Sequence, residues 1–140
     1  MIKREEYLKK IRPFMSKEIV KVLTGIRRCG KSVMLELIKE DLVSQGIKKE
    51  NLFSVNFETG AVSYVKSLEE TYEVVKEFAA KRKEKIYLFF DEIQELPHWE
   101  KLINSIMIDF DADIYITGSN AKMLSGELAT YLGGRYVEFK

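Results

Sequence analysis

A glycine-rich segment near the amino end of this 140-residue chain carries residue types that can bind phosphate. It satisfies the pattern G-x-x-x-x-G-K-[ST], the Walker A motif. With the residue that follows, its members are Gly25, Ile26, Arg27, Arg28, Cys29, Gly30, Lys31, Ser32 and Val33. Glycines let the backbone wrap closely enough for its N–H groups to bind phosphate oxygens. Lys31 can reach the β- and γ-phosphates, where it also serves catalysis, and the Ser32 hydroxyl can bind Mg²⁺. The segment therefore predicts a site for ATP and Mg²⁺.

The reactive and charged side chains of this segment admit more than one interpretation. Cys29 could be a modifiable thiol beside the phosphates, or its side chain could pack or point outward. Arg27 and Arg28 bring charge into the segment. We expect both arginines to face solvent or a partner, because backbone amides already bind the phosphates. These residues are therefore expected to bind the nucleotide through their backbone.

Two adjacent carboxylates follow an uninterrupted apolar run. Ile86–Phe90 (IYLFF) leads directly into Asp91 and Glu92. An apolar strand that ends in an acid is the Walker B pattern, in which Asp91 supports the hydration shell of Mg²⁺. Glu92 can orient and polarise the attacking water as a general base. Two acids at a strand end can also form a solvated turn, but together with the glycine-rich segment they favour hydrolysis of ATP.

Polar residues at the ends of two other predicted strands are candidates for the same site. One strand ends in Thr117-Gly118-Ser119-Asn120. Ser119 is assigned to catalysis as a sensor of the γ-phosphate or the attacking water, although it or Asn120 could instead cap the next helix. Asn56 could hold Glu92 away from the water until a partner binds, or it could be a turn residue.

Aromatic and apolar residues before the first predicted strand are candidates for contacts with the adenine ring. They are Tyr7, Ile11, Pro13 and Phe14. Such residues more often fix a helix to the core, and both interpretations stay open.

Short apolar or β-branched runs alternate with helical stripes along the chain. The predicted strands are Ile19–Thr24, Leu52–Phe57, Ile86–Phe90, Asp113–Thr117 and Tyr136–Phe139. Helices are predicted over Glu5–Ile11, from Lys31 to a stop at Gly46, from a capping box at Ser67 and Glu70 to Ala79, from Pro97 to Phe110, and around Ala121–Leu132. This alternation predicts an α/β fold of the P-loop NTPase type, a three-layer doubly wound parallel sheet with strand order 5-1-4-3-2. In that order the strand before Ser119 lies between the strands that bear the two motifs.

Together, these residues resemble the ATPases associated with diverse activities, the AAA+ type. More narrowly, the chain is similar to a large group of uncharacterised prokaryotic ATP-binding proteins. That group shares a Gly-x-Arg-Arg-x-Gly-Lys loop, an apolar strand into Asp-Glu-x-Gln, a Trp-bearing helix, Thr-Gly-Ser and a late Gly-Arg. The matching residues are Gly25–Ser32, Asp91–Gln94, Trp99, Thr117–Ser119 and Gly134-Arg135. The resemblance covers the chain from Lys3 to Lys140.

The resemblance implies a nucleotide-binding core that hydrolyses ATP, with an arginine that reaches the nucleotide of a neighbouring subunit. Arg135 is the position that matches, and a surface or structural arginine is the alternative. It also implies that residues 1–140 form one domain, the amino-terminal core of a longer protein whose helical lid and carboxy-terminal domain are absent from this chain. Hydrolysis would then drive a conformational change in an attached domain or partner.

The composition bears on partners and location. A net charge of +1, from 23 basic and 22 acidic residues, gives no argument for a nucleic-acid or membrane surface. No apolar run approaches the roughly 20 residues that span a bilayer. The single Cys29 fits a reducing compartment. We therefore expect a cytoplasmic protein whose partners are ATP, ADP and further copies of itself bound through Arg135, while its protein or nucleic-acid target stays open.

Two other functions stay open on the sequence. A P-loop kinase would transfer the γ-phosphate to a small molecule and would gain little from Glu92 beside Asp91. A nucleotide-binding interaction module would bind ATP tightly and signal without turnover. Phosphate release in the absence of an acceptor separates a hydrolase from both.

Overall fold

Five parallel strands form the centre of the molecule. The structure is a computed structural model that describes residues 4–24, 28–57, 67–118 and 135–139, with the backbone alone for residue 4 and residues 28–32. The strands are β1 Val20–Leu23, β2 Leu52–Asn56, β3 Ile86–Asp91, β4 Ala112–Thr117 and β5 Tyr136–Phe139. They lie in the order β2-β3-β4-β1-β5 and every neighbouring pair is parallel. This is the predicted order 5-1-4-3-2 read from the opposite edge, so the predicted α/β fold is confirmed.

Helices flank the sheet at nearly the predicted places. They are α1 Arg4–Ile11, α2 Arg28–Ser44, α3 Leu68–Ala80 and α4 Trp99–Asp109, with 3₁₀ turns at Arg12–Phe14, Lys49–Asn51 and Ile93–Glu95. Helix α2 begins at Arg28, before the predicted start at Lys31. The sequence did not mark this earlier start because the first turn carries no apolar stripe. Helix α4 begins after Pro97, because the intervening His98 has a left-handed backbone with φ +62°. The helix predicted around Ala121–Leu132 lies outside the described residues.

The predicted caps of two helices are confirmed. Ser67 accepts the N–H of Glu70 at 3.1 Å, which is the first half of a capping box at the start of α3. Gly46 follows α2 with φ +104°, a backbone conformation that favours glycine. Its N–H donates to Val43, and the next N–H, of Ile47, donates back to Leu42 at 3.1 Å. These two bonds satisfy carbonyl groups that the end of a helix leaves unpaired.

Two apolar layers cover the two faces of the sheet. Leu88 and Phe90 of β3 lie in a buried cluster with residues of α3 and α4. Tyr87 and Phe89 of the same strand lie in a second cluster with residues of α1 and α2. Successive side chains of a strand point to opposite faces, so the continuous apolar run of β3 reflects burial on both sides. The predicted three-layer arrangement is therefore confirmed. In the part of the chain that the structure describes, no helix is long and apolar enough to cross a membrane.

A buried ion pair lies near the amino ends of β1 and β4. Lys21 and Asp113 are both 0% exposed, and the Lys21 ammonium donates to Asp113 Oδ1 and to the carbonyl of Lys17. Asp113 Oδ2 accepts the hydroxyl of Tyr115 at 2.6 Å and the N–H of Ser16 at 2.9 Å. Burial lowers the pKa of Lys21 against the opposing effect of Asp113. Burial and the Asp113 carboxylate raise the pKa of Tyr115. These bonds connect Ser16 and Lys17, in the segment before β1, to the sheet.

Candidate functional site

The carboxyl ends of β1, β3 and β4 meet at one edge of the sheet. Leu23 at the end of β1 pairs in register with Thr117 of β4, and Phe90 of β3 pairs with Ile116. Asp91, which follows Phe90, therefore lies beside Thr117. This edge brings together the two predicted motifs, with β4 between them, as the predicted strand order requires.

Thr117 contacts both predicted acids. Its hydroxyl donates to Asp91 Oδ1 at 2.5 Å and accepts the backbone N–H of Glu92 at 2.8 Å. Thr117 is fully buried and Asp91 is 8% exposed. Because one hydroxyl can donate and accept at once, Thr117 fixes the Asp91 carboxylate and the Glu92 backbone together. In the sequence Thr117 is only part of a polar strand end. The signal for its function is a hydroxyl residue that ends the strand next to Asp91.

Glu92 has a backbone conformation that is uncommon for a residue with a side chain. Its φ of +54° and ψ of +48° lie in the left-handed region. Its Oε1 accepts a hydrogen bond from Nε2 of Gln94 at 2.8 Å, and its side chain is partly exposed. Conformations of this kind persist where surrounding contacts determine them, and they cluster at functional sites. In the sequence Gln94 is marked only by its match to the Asp-Glu-x-Gln pattern.

Neighbouring strands fix the end of β1, from which the glycine-rich segment starts. The hydroxyl of Thr24 donates to the carboxylate of Glu138 on β5, and its N–H donates to the carbonyl of Phe139 at 2.9 Å. On the other side, the N–H of Gly118 donates to the carbonyl of Leu23 at 3.3 Å. Glu138 could not be identified from the sequence, because an acid within a half-buried strand carries no distinctive pattern.

The glycine-rich segment connects β1 to α2. Residues 25–27 lie outside the described residues, and residues 28–32 form the first turn of α2. The start of a helix presents backbone N–H groups without intrahelical partners, together with the positive end of the helix dipole. Because α2 starts just after the carboxyl end of β1, this helix start lies at the same edge as Asp91. A helix start in this position favours phosphate. Val33, the last predicted nucleotide contact, is 46% exposed.

The other residues predicted at this edge are only partly described. Ser119 and Asn120 lie outside the described residues. Asn56 is the last residue of β2, is exposed, and pairs in register with Asp91. It therefore lies one strand away from the acids, and its restraint of Glu92 stays a prediction.

Arg135 lies at the opposite edge of the sheet. Its carbonyl accepts the N–H of Val20 at 3.0 Å, so it precedes β5 where β1 begins. Its exposed guanidinium donates to Asn104 of α4 at 3.0 Å. A strand of four to six residues rises by about 13–20 Å, at about 3.3 Å per residue. Arg135 is therefore too far from Asp91 to act on this chain's own site, and any nucleotide that it contacts must belong to another molecule.

The side chains at the carboxyl edge suit Mg²⁺ better than a transition metal. Asp91 presents a buried carboxylate, the type of hard oxygen ligand that Mg²⁺ prefers. Mg²⁺ is usually bound by one or two carboxylates together with substrate phosphates and waters. Among the described residues, no group of three or more His, Cys, Asp or Glu side chains could hold a metal by itself. The buried Asp91 carboxylate therefore fits Mg²⁺.

The residues considered for adenine contacts differ in their surroundings. Ile11 is fully buried, and the ring of Phe14 packs edge-on against Phe139 with centroids 5.8 Å apart. The hydroxyl of Tyr7 is buried and has no hydrogen-bond partner among the described residues. Burial raises the pKa of Tyr7. Ile11 thus belongs to the core, and Phe14 and Tyr7 pack against it. Tyr7 also has a buried hydroxyl that a ligand could bind.

Comparison with known proteins gives one family and several relatives. Residues 17–140 match the sequence model of a family described as AAA domain. An uncharacterised protein of Haemophilus influenzae is 45% identical over 140 residues, which cover 100% of this chain and 35% of that protein. An uncharacterised protein of Methanocaldococcus jannaschii is 37% identical over 120 residues, which cover 85% of this chain and 25% of that protein. The chain thus spans about a third or less of the length of these relatives.

Solved structures share the fold. A Drosophila ORC structure, bound to AT-rich DNA and Cdc6, aligns with a TM-score of 0.64 at 9% identity and covers 98% of this chain and 53% of that chain. The Thermotoga maritima RuvB Holliday junction branch migration motor aligns with a TM-score of 0.54 at 19% identity and covers 99% of this chain and 43% of that chain. At these identities the likeness shows the fold alone.

Proposed function

The chain belongs to the AAA domain family, and from this premise we propose that it binds ATP with Mg²⁺ and hydrolyses it to ADP and phosphate. The observation that carries the proposal is Thr117, whose hydroxyl holds Asp91 and the backbone of Glu92 at the edge where α2 begins. A metal-binding carboxylate and a general base then lie beside a helix start that favours phosphate.

Nucleotide binding is proposed for the glycine-rich segment and the residue after it. The residues are Gly25, Ile26, Arg27, Arg28, Cys29, Gly30, Lys31, Ser32 and Val33. Backbone N–H groups bind the phosphates, and Lys31 places its ammonium at the β- and γ-phosphates. Ser32 and Asp91 hold Mg²⁺, which, when bound, neutralises negative charge on the phosphate oxygens.

Glu92 is proposed to act on the attacking water. Its carboxylate accepts a proton as the water oxygen forms a bond to the γ-phosphorus. The bond from that phosphorus to the bridging oxygen breaks, and ADP leaves. Ser119 contacts the γ-phosphate or the water, and Arg135 of a neighbouring copy stabilises the charge of the transition state.

The proposed activity belongs to one part of a larger protein. The two relatives extend well beyond the matched region. The match covers 35% of the length of one relative and 25% of the length of the other. We propose that residues 1–140 are the ATPase core and that hydrolysis moves an attached domain or partner. The change in nucleotide state at the carboxyl edge is the event that such a partner would detect.

Glu92→Gln is expected to lower phosphate release by about 10²-fold or more while ATP binding persists, because an amide keeps the shape but cannot accept the proton. Asp91→Asn is expected instead to weaken the dependence of ATP binding on magnesium. Phosphate release without an acceptor and calorimetric titration with ATP, with and without Mg²⁺, measure the two effects.

The matched control is Glu95→Gln, which removes the charge of an exposed carboxylate in the same 3₁₀ turn. It is expected to leave release and binding unchanged. If Glu92→Gln and Asp91→Asn both lower affinity equally and spare turnover, the assignment of the two acids is wrong.

A further inference from the structure

Gln94 lies in the 3₁₀ turn that follows β3 and contacts the proposed general base. Its Nε2 donates to Glu92 Oε1 at 2.8 Å, and it approaches Glu95 Oε2 at 3.4 Å. The first distance is that of a good hydrogen bond, and the second is long. The side-chain amide of Gln94 is therefore directed at the Glu92 carboxylate.

The orientation of the Gln94 amide follows from the charges around it. A rotation of the amide by half a turn would place its carbonyl oxygen against two carboxylates, which only accept hydrogen bonds. The NH₂ group must therefore face Glu92, and the carbonyl oxygen must face away. In that position Gln94 Oε1 is buried and has no hydrogen-bond partner among the described residues. A buried acceptor without a partner is unfavourable.

The contact with Glu92 is thus kept although Gln94 Oε1 has no partner in the described part of the chain. Native proteins pair most buried polar atoms, and an exception in a candidate site points to a function other than stability. Glu92 already has its backbone N–H fixed by Thr117 at 2.8 Å. The bond from Gln94 to Oε1 holds the carboxylate of the same residue, so both the backbone and the side chain of Glu92 are fixed.

From this geometry we propose that Gln94 is a positioning residue that orients the Glu92 carboxylate for proton transfer. The inference rests on the proposed function, since it gives Gln94 an effect on turnover only through Glu92. It differs from the predicted effect of Asn56, which would hold Glu92 away from the water. Removing a contact that orients Glu92 should lower turnover, whereas removing a contact that restrains Glu92 should raise it.

Gln94→Ala is expected to lower phosphate release about tenfold at saturating ATP, because a loosely held base spends less time in a reactive geometry. ATP affinity is expected to stay unchanged. Gln94→Glu keeps the length of the side chain but replaces the donor by a second carboxylate, so its turnover should fall at least as far. Glu95→Gln is the matched control in the same turn and should release phosphate at the wild-type rate.

A double-mutant cycle separates positioning from a general loss of structure. In a Glu92→Gln background, Gln94→Ala is expected to cause no further loss, because the residue acts through Glu92. A tenfold loss in that background, a rise in turnover of Gln94→Ala, or an unchanged turnover would each overturn the proposal. Absence of phosphate release from the wild-type protein would overturn the proposed function and this inference with it. Release from the wild type that Gln94 substitutions do not alter would overturn the inference alone.

Discussion

Arg135→Ala is expected to lower ATP turnover by about 10³-fold while leaving the ATP affinity of the same molecule unchanged. In the transition state, charge spreads over the equatorial oxygens of the γ-phosphoryl group, and a guanidinium supplied by another subunit can stabilise it. Arg135 is exposed at the amino edge of the sheet, whereas Asp91 and Glu92 are at the carboxyl edge. Its contribution must therefore come across an interface between two copies. Specific activity should accordingly rise with protein concentration.

Mixing two inactive variants tests this arrangement directly. Arg135→Ala protein keeps a nucleotide site, and Lys31→Ala protein keeps the arginine. A mixture should regain part of the activity, because one kind of mixed interface has both groups. The matched control is a mixture of Arg135→Ala with the double variant Lys31→Ala/Arg135→Ala, which should regain none. Activity that is independent of concentration, without recovery on mixing, would leave Arg135 as a structural residue held by Asn104.

Lys21→Met is expected to lower the free energy of unfolding by about 3–5 kcal/mol, because it leaves the Asp113 carboxylate buried without its cation. Both side chains are 0% exposed, and the remaining bonds to Asp113 come from Tyr115 and the backbone of Ser16. Methionine has a similar length, so the loss reflects the charge rather than a large cavity. Urea unfolding of the nucleotide-free protein measures the difference.

The matched control for this prediction is Lys85→Met. Lys85 pairs with Asp111 at 2.8 Å, near the same edge of the sheet, with 24% and 71% of the two side chains exposed. A pair exposed to this extent contributes about 0–1 kcal/mol. Equal losses for Lys21→Met and Lys85→Met would contradict the account of the buried pair.

The burial of β3 and two of the helix ends could be predicted because each leaves a local pattern in the sequence. The continuous apolar run of Ile86–Phe90 indicated a strand covered on both faces, and Gly46 and Ser67 marked helix ends through chemistry local to each residue. Each of these signals lies within a few consecutive residues. Patterns of this kind can be read without knowing which distant residues meet.

The contacts that build the site could not be predicted in the same way. The hydroxyl of Thr117 and the carboxylate of Asp91 are 26 positions apart, and Lys21 and Asp113 are 92 positions apart. Their meeting depends on the exact register of neighbouring strands, which a hydrophobic pattern does not specify for polar strand ends. The left-handed backbone of Glu92 could not be predicted from the sequence either, because glutamate rarely adopts this conformation. The contact between Gln94 and Glu92 accompanies that conformation.

ATP is proposed to bind at the carboxyl edge of the sheet, where Lys31 of the glycine-rich segment contacts its phosphates. Calorimetric titration of the wild type and Lys31→Ala with Mg·ATP tests it most directly, with Lys48→Ala, an exposed lysine after α2, as the matched control. We expect Lys31→Ala to weaken ATP binding by about tenfold or more, equivalent to about 1.4 kcal/mol, while Lys48→Ala binds like the wild type. Equal affinity of the wild type and Lys31→Ala for Mg·ATP would contradict the claim.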